Sequence, residues 1–313
     1  MLKKIGYAEA LFFTAAAILV LASVGLIVFI GTGGLALFTT YPPADFFFGT
    51  EWNQSTHVYG VIPLLYGSIM TTLITLLISV PLGLLVAIFM VEIAPPPMRR
   101  VMRTTVELFA SLPSVIFGLL ALTIIVPMVR VMFNAPLGKG ILPAAIILIF
   151  MTQPTIVTIT EDALRSAAAG LREGALALGS SRWQMISGVL VPAARQGILT
   201  AIILGTGRAV GETMAVQMVI GNITTRVPPD LVSGATTMPA AIVTQLPEAA
   251  SPETRSALIM VGFLLLLITF ALIAIARRVS SAGTTKKKAK RRVAPQIQTS
   301  VTPLEESVRE ATA

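Results

Sequence analysis

The sequence predicts an all-α integral membrane protein with six transmembrane helices, and three observations carry that prediction. Hydrophobic residues make up 55% of the 313 residues and charged residues 12%, about half the charged share of a soluble domain. Six apolar runs reach the roughly 20 residues that a helix needs to cross a bilayer. Lysine and arginine are dense in every second segment between those runs and sparse in the others, as in a chain that crosses repeatedly.

The first run, Ala8–Ile30, follows Lys3 and Lys4. It is longer than a signal-peptide core and leads to no small-residue cleavage site, so it reads as a retained signal-anchor helix. The loop Gly31–Pro63 has no basic residue and carries Pro42-Pro43, Phe46-Phe47-Phe48 and Trp52. Aromatics beside a span read first as an interfacial belt and second as a docking surface for a soluble partner. His57, the one histidine, reads as a solvated loop residue, and with no cysteine in the chain neither a disulfide nor a thiolate metal site is available.

The second run is Leu64–Met90, followed by the proline-rich turn Glu92–Arg103 with Arg99, Arg100 and Arg103. The third, Val106–Val129, contains Pro113, which removes one backbone donor. Ser111 or Ser114 could serve the carbonyl left over. Two readings stand: a broken span facing a water-filled path, or a simple kink. The fourth run, Ile141–Ile159, ends near Glu161 and Arg165, whose acid-first spacing of four predicts a surface ion pair anchoring the span. The fifth, Ile198–Ile220, and the sixth, Ala257–Ala276, complete the set. Lys286–Arg292 then forms a basic cluster that reads as a lipid-headgroup contact and not a nucleic-acid site, and Pro295–Ala313 reads as a disordered tail. The domain organisation is therefore residues 1–63 (first helix and loop), 64–280 (a five-helix core) and 281–313 (a basic tail).

Nine basic residues (Lys3, Lys4, Arg99, Arg100, Arg103, Arg165, Arg172, Arg182 and Arg195) lie on one side of this arrangement. Four (Arg130, Lys139, Arg226 and Arg255) lie on the other. The excess predicts both termini in the cytoplasm, together with the polar segment before the fifth run.

That segment, about residues 162–197, is too polar to cross a bilayer. Arg172–Leu178 is rich in helix formers, Gly179 suits a helix C-terminus, and Ser181 with Gln184 has capping-box spacing, so a helix–Gly–helix elbow is expected. Its second helix should run to about Val191 and meet Pro192. On spacing alone, an amphipathic loop lying on the membrane surface remains the alternative.

In the fifth run, Arg208 and Glu212 each cost about 2.5–3.5 kcal/mol to insert near mid-span, so they must face protein or water. Four residues apart on one helix, they would share a face. They read either as a structural ion pair or as substrate groups. In the second reading Arg208 presents planar donors to a tetrahedral oxyanion and Glu212 orients it. The chain has no phosphate-binding loop, no H-E-x-x-H and no G-x-S-x-G, so it is not expected to be an enzyme or to hold a cofactor. Gly207 and Gly211 fit a small-residue helix contact better than a dinucleotide site.

Glu173-Gly174-Ala175, Gly179 and Val189-Leu190-Val191-Pro192 together resemble the EAA loop of bacterial ABC-importer permeases. Gly174 stands where that pattern has alanine, and Val189 and Val191 stand for isoleucine and leucine. Gly207 to Val216, with Gly221-Asn222, is similar to the phosphate-specific transport permeases, closer to their PstC-type than their PstA-type subunits. The resemblance implies a type I ABC importer permease fold in a prokaryotic inner or plasma membrane. It implies that the elbow, through Glu173, Ala175, Gly179, Arg182, Trp183 and Pro192, couples to a cytoplasmic ATPase. It also implies that Arg208, Glu212 and Thr213 line the substrate path. The partners implied are a PstA-like second permease subunit, a PstB-like ATPase dimer and an external PstS-like phosphate-binding protein. A sulfate or molybdate permease, and a non-transporting sensor or scaffold, are the other functions this pattern admits.

Overall fold

The computed structural model describes residues 7–168 and 170–291. Among these described residues, six helices are long and apolar enough to cross a membrane: Glu9–Thr39, Ile62–Ile93, Ser114–Met132, Ile141–Ala168, Arg182–Gly211 and Pro252–Ile275. The connections after the first, third and fifth spans meet at one end, where Trp52 N–H donates to Thr224 O (3.2 Å) and Leu142 N–H to Leu231 O (2.8 Å). The connections after the second and fourth meet at the other, where Arg103 reaches Glu161 and Arg172 reaches Glu92. We call these the loop end and the elbow end.

The fourth span is the axis, and the second and fifth pack along it. The second span buries Gly67, Thr71, Thr75, Ser79, Gly83 and Ala87, one small residue every four, so one face is a ridge without bulk. Lipid tails are as apolar as leucine, so helices associate in a bilayer by close packing, and small residues permit it. Ile156 of the fourth span shows how close. A Cβ added to Gly83 would lie 2.6 Å from its Cγ2, and one added to Gly205 of the fifth span 2.7 Å from its Cγ1.

Pro81 and Pro154 lie inside continuous α-helices, whereas other prolines change the path of the chain. π-helical segments at Ala121–Ile125 and Met185–Leu190 each end two residues before a proline, Pro127 and Pro192. A proline ring clashes with the carbonyl four residues back and offers no N–H, and a π turn shifts the hydrogen-bond ladder by one residue so that the helix passes. The elbow's second helix therefore does not stop at Pro192 as expected but continues into the fifth span. A third π segment, Phe89–Ile93, precedes Pro95-Pro96-Pro97, where the chain turns because Ala94 and Pro95 are extended. Pro113 has no such segment. Leu112 and Pro113 are both extended (ψ 132° and 140°), and the Ser111 hydroxyl donates to Leu108 O (2.8 Å). The third run is thus broken, not kinked: Pro96–Ser111 is a separate amphipathic helix against the fourth span, and the spanning part begins at Ser114.

At the loop end part of the expected aromatic belt is a core, while Phe48 is 79% exposed. Phe46, Trp52 and Tyr59 are fully buried beneath the short hairpin Trp52–Asn53/Val58–Tyr59. Trp52 Nε1 donates to Gln245 Oε1 (2.7 Å) on the helix Met238–Gln245, and Tyr59 shares a hydrogen bond with Thr254 (2.7 Å) at the start of the sixth span. His57, at φ 54°, lies 3.2 Å from the Tyr59 hydroxyl. In the connection after the fifth span, hydrogen bonds from Ser233 and Val232 hold the Asp230 carboxyl below its usual range. The sixth span continues as helix to Arg291, so the segment read as a tail from residue 281 begins helical. Lys3, Lys4, Arg292 and Pro295–Ala313 lie outside the described residues.

Gly83→Leu is expected to cost about 1–3 kcal/mol by overpacking against Ile156. Gly188→Ala, where an added Cβ meets nothing within 4 Å, should be neutral or gain up to about 1 kcal/mol. Thermal unfolding midpoints of the two purified variants in detergent check the contrast.

Candidate functional site

Two features carry the functional geometry: an elbow that protrudes at one end, and a break in the fifth span. The elbow's first helix is Leu171–Ala177. Gly179 ends it at φ 83°, with its N–H on Leu176 O (3.0 Å) and the Ser180 N–H on Ala175 O (3.2 Å). This is the Schellman arrangement, which glycine adopts without a Cβ penalty. The next helix opens with both halves of the capping box: Gln184 N–H donates to Ser181 Oγ (3.3 Å) and Ser181 N–H to Gln184 Oε1 (2.9 Å).

One side of the elbow is anchored. Ala175, Met185, Ile186 and Leu190 share one buried cluster with Met90 and Val91 at the end of the second span. The opposite side is exposed and partly apolar, with Leu178 at 89% and Trp183 at 69%, beside Glu173, Gly179, Arg182 and Pro192. Of the six residues assigned to coupling, Ala175 alone faces inward. An exposed tryptophan and leucine thus stand within an otherwise polar segment. Gly174, which departs from the alanine of the EAA pattern, is in open space, so a methyl there would fit.

The elbow end also holds two buried acids. Glu161, 4% exposed in its side chain, accepts from Arg165 (2.6 Å) and lies 3.9 Å from Arg103 of the amphipathic helix. The expected surface pair is thus a buried carboxylate between two arginines. Glu92 accepts from Arg172.

The fifth span does not continue to Ile220. It ends at Gly211, Glu212 is extended (ψ 125°), and a short helix restarts at Met214–Val219. Glu212 Oε1 accepts from Ala215 N–H (3.3 Å), so the carboxylate caps the new helix instead of facing Arg208. Arg208 turns to the fourth span, where Nη1 lies 3.5 Å from Thr155 Oγ1. Among the described residues no ion pair joins Arg208 to Glu212; the shared helical face expected from their spacing is lost with the helix. A carboxylate three residues before the amide it caps is a spacing legible in the sequence. The apolar periodicity of the run masked it.

Arg208, Glu212 and Thr213 are all partly exposed. With one long hydrogen bond among the described residues, most of the five N–H donors of Arg208 remain for water or a ligand. Glu212 lines a small cavity with the hydroxyl residues Ser68, Thr71, Thr72 and Thr237. Thr71 Oγ1 is buried there without a partner. Sequence analysis missed these hydroxyls; the signal was Ser68-x-x-Thr71-Thr72 on one face of an otherwise apolar helix. Arg208 is not among the residues lining this cavity; it lies against Thr155 of the fourth span.

Residues 79–282 match the family described as binding-protein-dependent transport system inner membrane component. The chain is 43% identical over 219 residues to the probable ABC transporter permease protein YqgH of Bacillus subtilis, covering 69% of this chain and 70% of that one. It is 38% identical over 252 residues to the phosphate transport system permease protein PstC of Xylella fastidiosa, covering 74% and 77%. A solved bacterial alginate ABC transporter, in complex with its alginate pentasaccharide-bound periplasmic protein, contains a chain of the same fold. It superposes with a TM-score of 0.62 at 17% identity, over 89% of this chain and 99% of that one.

Ser181→Ala removes one half of the capping box and should destabilise the second elbow helix by about 1 kcal/mol. Faster amide hydrogen exchange at Gln184, with exchange in the fourth span unchanged, is the expected reading.

Proposed function

The chain belongs to the family of binding-protein-dependent transport system inner membrane components, and from that footing we propose that it is the permease subunit of an ATP-driven importer of inorganic phosphate. It is a multi-pass membrane protein and not itself an ATPase. The observation that carries the substrate is Arg208, a partly exposed guanidinium in the last turn of a spanning helix, whose charge no neighbouring carboxylate neutralises among the described residues. A buried ion pair would lock helices, whereas a cation with spare donors suits a tetrahedral oxyanion. The 38% identity to a phosphate permease supports phosphate among the oxyanions.

The elbow end faces the cytoplasm in this reading, since Arg99, Arg100, Arg103, Arg165, Arg172 and Arg182 gather there, and both termini lie on that side. The exposed Leu178 and Trp183 face is the dock for a PstB-like ATPase dimer. A PstA-like sister forms the other half of the path, and a PstS-like phosphate-binding protein delivers substrate at the loop end. Because the helix runs unbroken from Arg182 to Gly211, displacement of the elbow displaces Arg208 with it. ATP-driven closure of the ATPases thereby exposes the arginine alternately to each side.

Gly179→Val forces a β-branched residue into a left-handed conformation, at about 1 kcal/mol or more, and misdirects the elbow. The variant should reach the membrane yet lose phosphate-dependent stimulation of the ATPase. Full stimulation would remove the elbow from the coupling path.

Arg208→Gln should leave membrane level and ATPase association normal and abolish phosphate uptake. Arg208→Lys, which keeps the charge but not the planar fork, should retain little, and the Arg208→Gln, Glu212→Gln double variant should stay inactive. Uptake recovered in the double variant would make the pair structural, and sulfate uptake by the unaltered complex in place of phosphate would reassign the substrate.

A further inference from the structure

The elbow's first helix, Leu171–Ala177, is entered through Gly170 at φ 77° and left through Gly179 at φ 83°, both in open space. The helix is only two turns long, and the apolar cluster that takes in Ala175, Met90 and Val91 is non-directional. A push on such a helix reaches the membrane only through a directional tie.

One is present. Arg172, in the first turn, donates through Nη2 to Glu92 Oε1, and the Glu92 side chain is only 5% exposed. Glu92 lies in the π-helical end of the second span, which is itself stiffened. Arg99 donates to Met90 O (2.6 Å), Val91 O (3.1 Å) and Ala94 O (3.4 Å), closing the carbonyls that end leaves open. From Glu92 the second span runs about 30 Å to Thr71 and Thr72, which line the cavity beside Glu212.

We infer that Arg172 and Glu92 are the positioning pair that delivers elbow movement to the second span, and through it to the hydroxyl side of the cavity; this rests on the importer reading. The fifth span, continuous with the elbow's second helix, carries Arg208. The second span, tied to the first elbow helix, carries Ser68, Thr71 and Thr72. The pair keeps the two walls of the path in step, so that hydrolysis moves both together. Without it the elbow still moves the fifth span and the ATPase still turns over, but the path opens incompletely.

The test uses the assembled transporter in proteoliposomes with its ATPase and binding protein, reading phosphate imported per ATP hydrolysed, with membrane level and subunit association as controls. The Glu92→Gln, Arg172→Gln pair leaves no stranded charge, so it should assemble and hydrolyse ATP, and phosphate per ATP should fall about tenfold. Arg172→Lys, which keeps a cation against Glu92, should stay within about threefold of the unaltered protein. A merely structural pair would change the amount of complex but not its stoichiometry. Unchanged phosphate per ATP in the glutamine pair overturns the inference. So does a lysine variant that loses coupling about tenfold, and this holds even if the glutamine pair fails to assemble. An unaltered complex that hydrolyses ATP but imports no phosphate overturns the importer reading instead.

Discussion

Close approach of the second, fourth and fifth spans is the constraint on which the rest depends. In a bilayer the apolar side chains of a helix gain little by leaving lipid for a neighbour, so the association rests on dispersion contacts and on hydrogen bonds that short distances permit. Ile156 fills the space that Gly83 and Gly205 leave on two different helices. The same proximity lets Gln153 Nε2 donate to Ser79 O (3.1 Å) and brings Arg208 within reach of Thr155. Gly67 meets the Thr236 carbonyl at the loop end, and Ser68 Oγ accepts from Met238 N–H (2.8 Å), so the cavity beside Glu212 is built by the same ridge.

Proline placement divides what moves together from what does not. Where a π segment absorbs the proline, as before Pro192, an elbow helix and a spanning helix become one rod. At Pro113, preceded by no π segment, the chain breaks and the amphipathic helix Pro96–Ser111 becomes a separate piece, although Pro81 and Pro154 sit within unbroken helices. The break at Glu212 involves no proline: Glu212 is extended, and its carboxylate accepts from the Ala215 amide of the following helix. Arg208 thus sits in the last turn of the rod that begins at the elbow, which joins the exposed Trp183 face to the charged group within one rigid element.

The loop end is built on different terms. Phe46, Trp52 and Tyr59 form a buried aromatic cluster with ring centroids 5.5 Å apart for Trp52 and Tyr59, and their polar atoms reach Gln245 and Thr254. Burying these rings fixes the first loop onto the start of the sixth span, so the first span, otherwise exposed to the bilayer, is held at that end. Gly31 and Gly34 continue the hold against Phe263 and Met260.

The sequence by itself determined the features that arise within a few residues of chain: six apolar runs, the left-handed Gly179, the capping box of Ser181 and Gln184, and the basic excess at the elbow end. Each depends on local composition or on spacings of three to four residues, which a reader of the chain can count. It also carried the EAA pattern and the Arg208–Glu212 motif, but not what those side chains touch. Only the tertiary structure decided that Arg208 faces Thr155 on the fourth span, that Phe46 and Trp52 are core, and that Glu92 holds Arg172. Those outcomes join residues 53 to 80 positions apart for Arg208–Thr155 and Arg172–Glu92. They are chosen by which small residues let which helices meet, a competition among non-local contacts that no single stretch of sequence records.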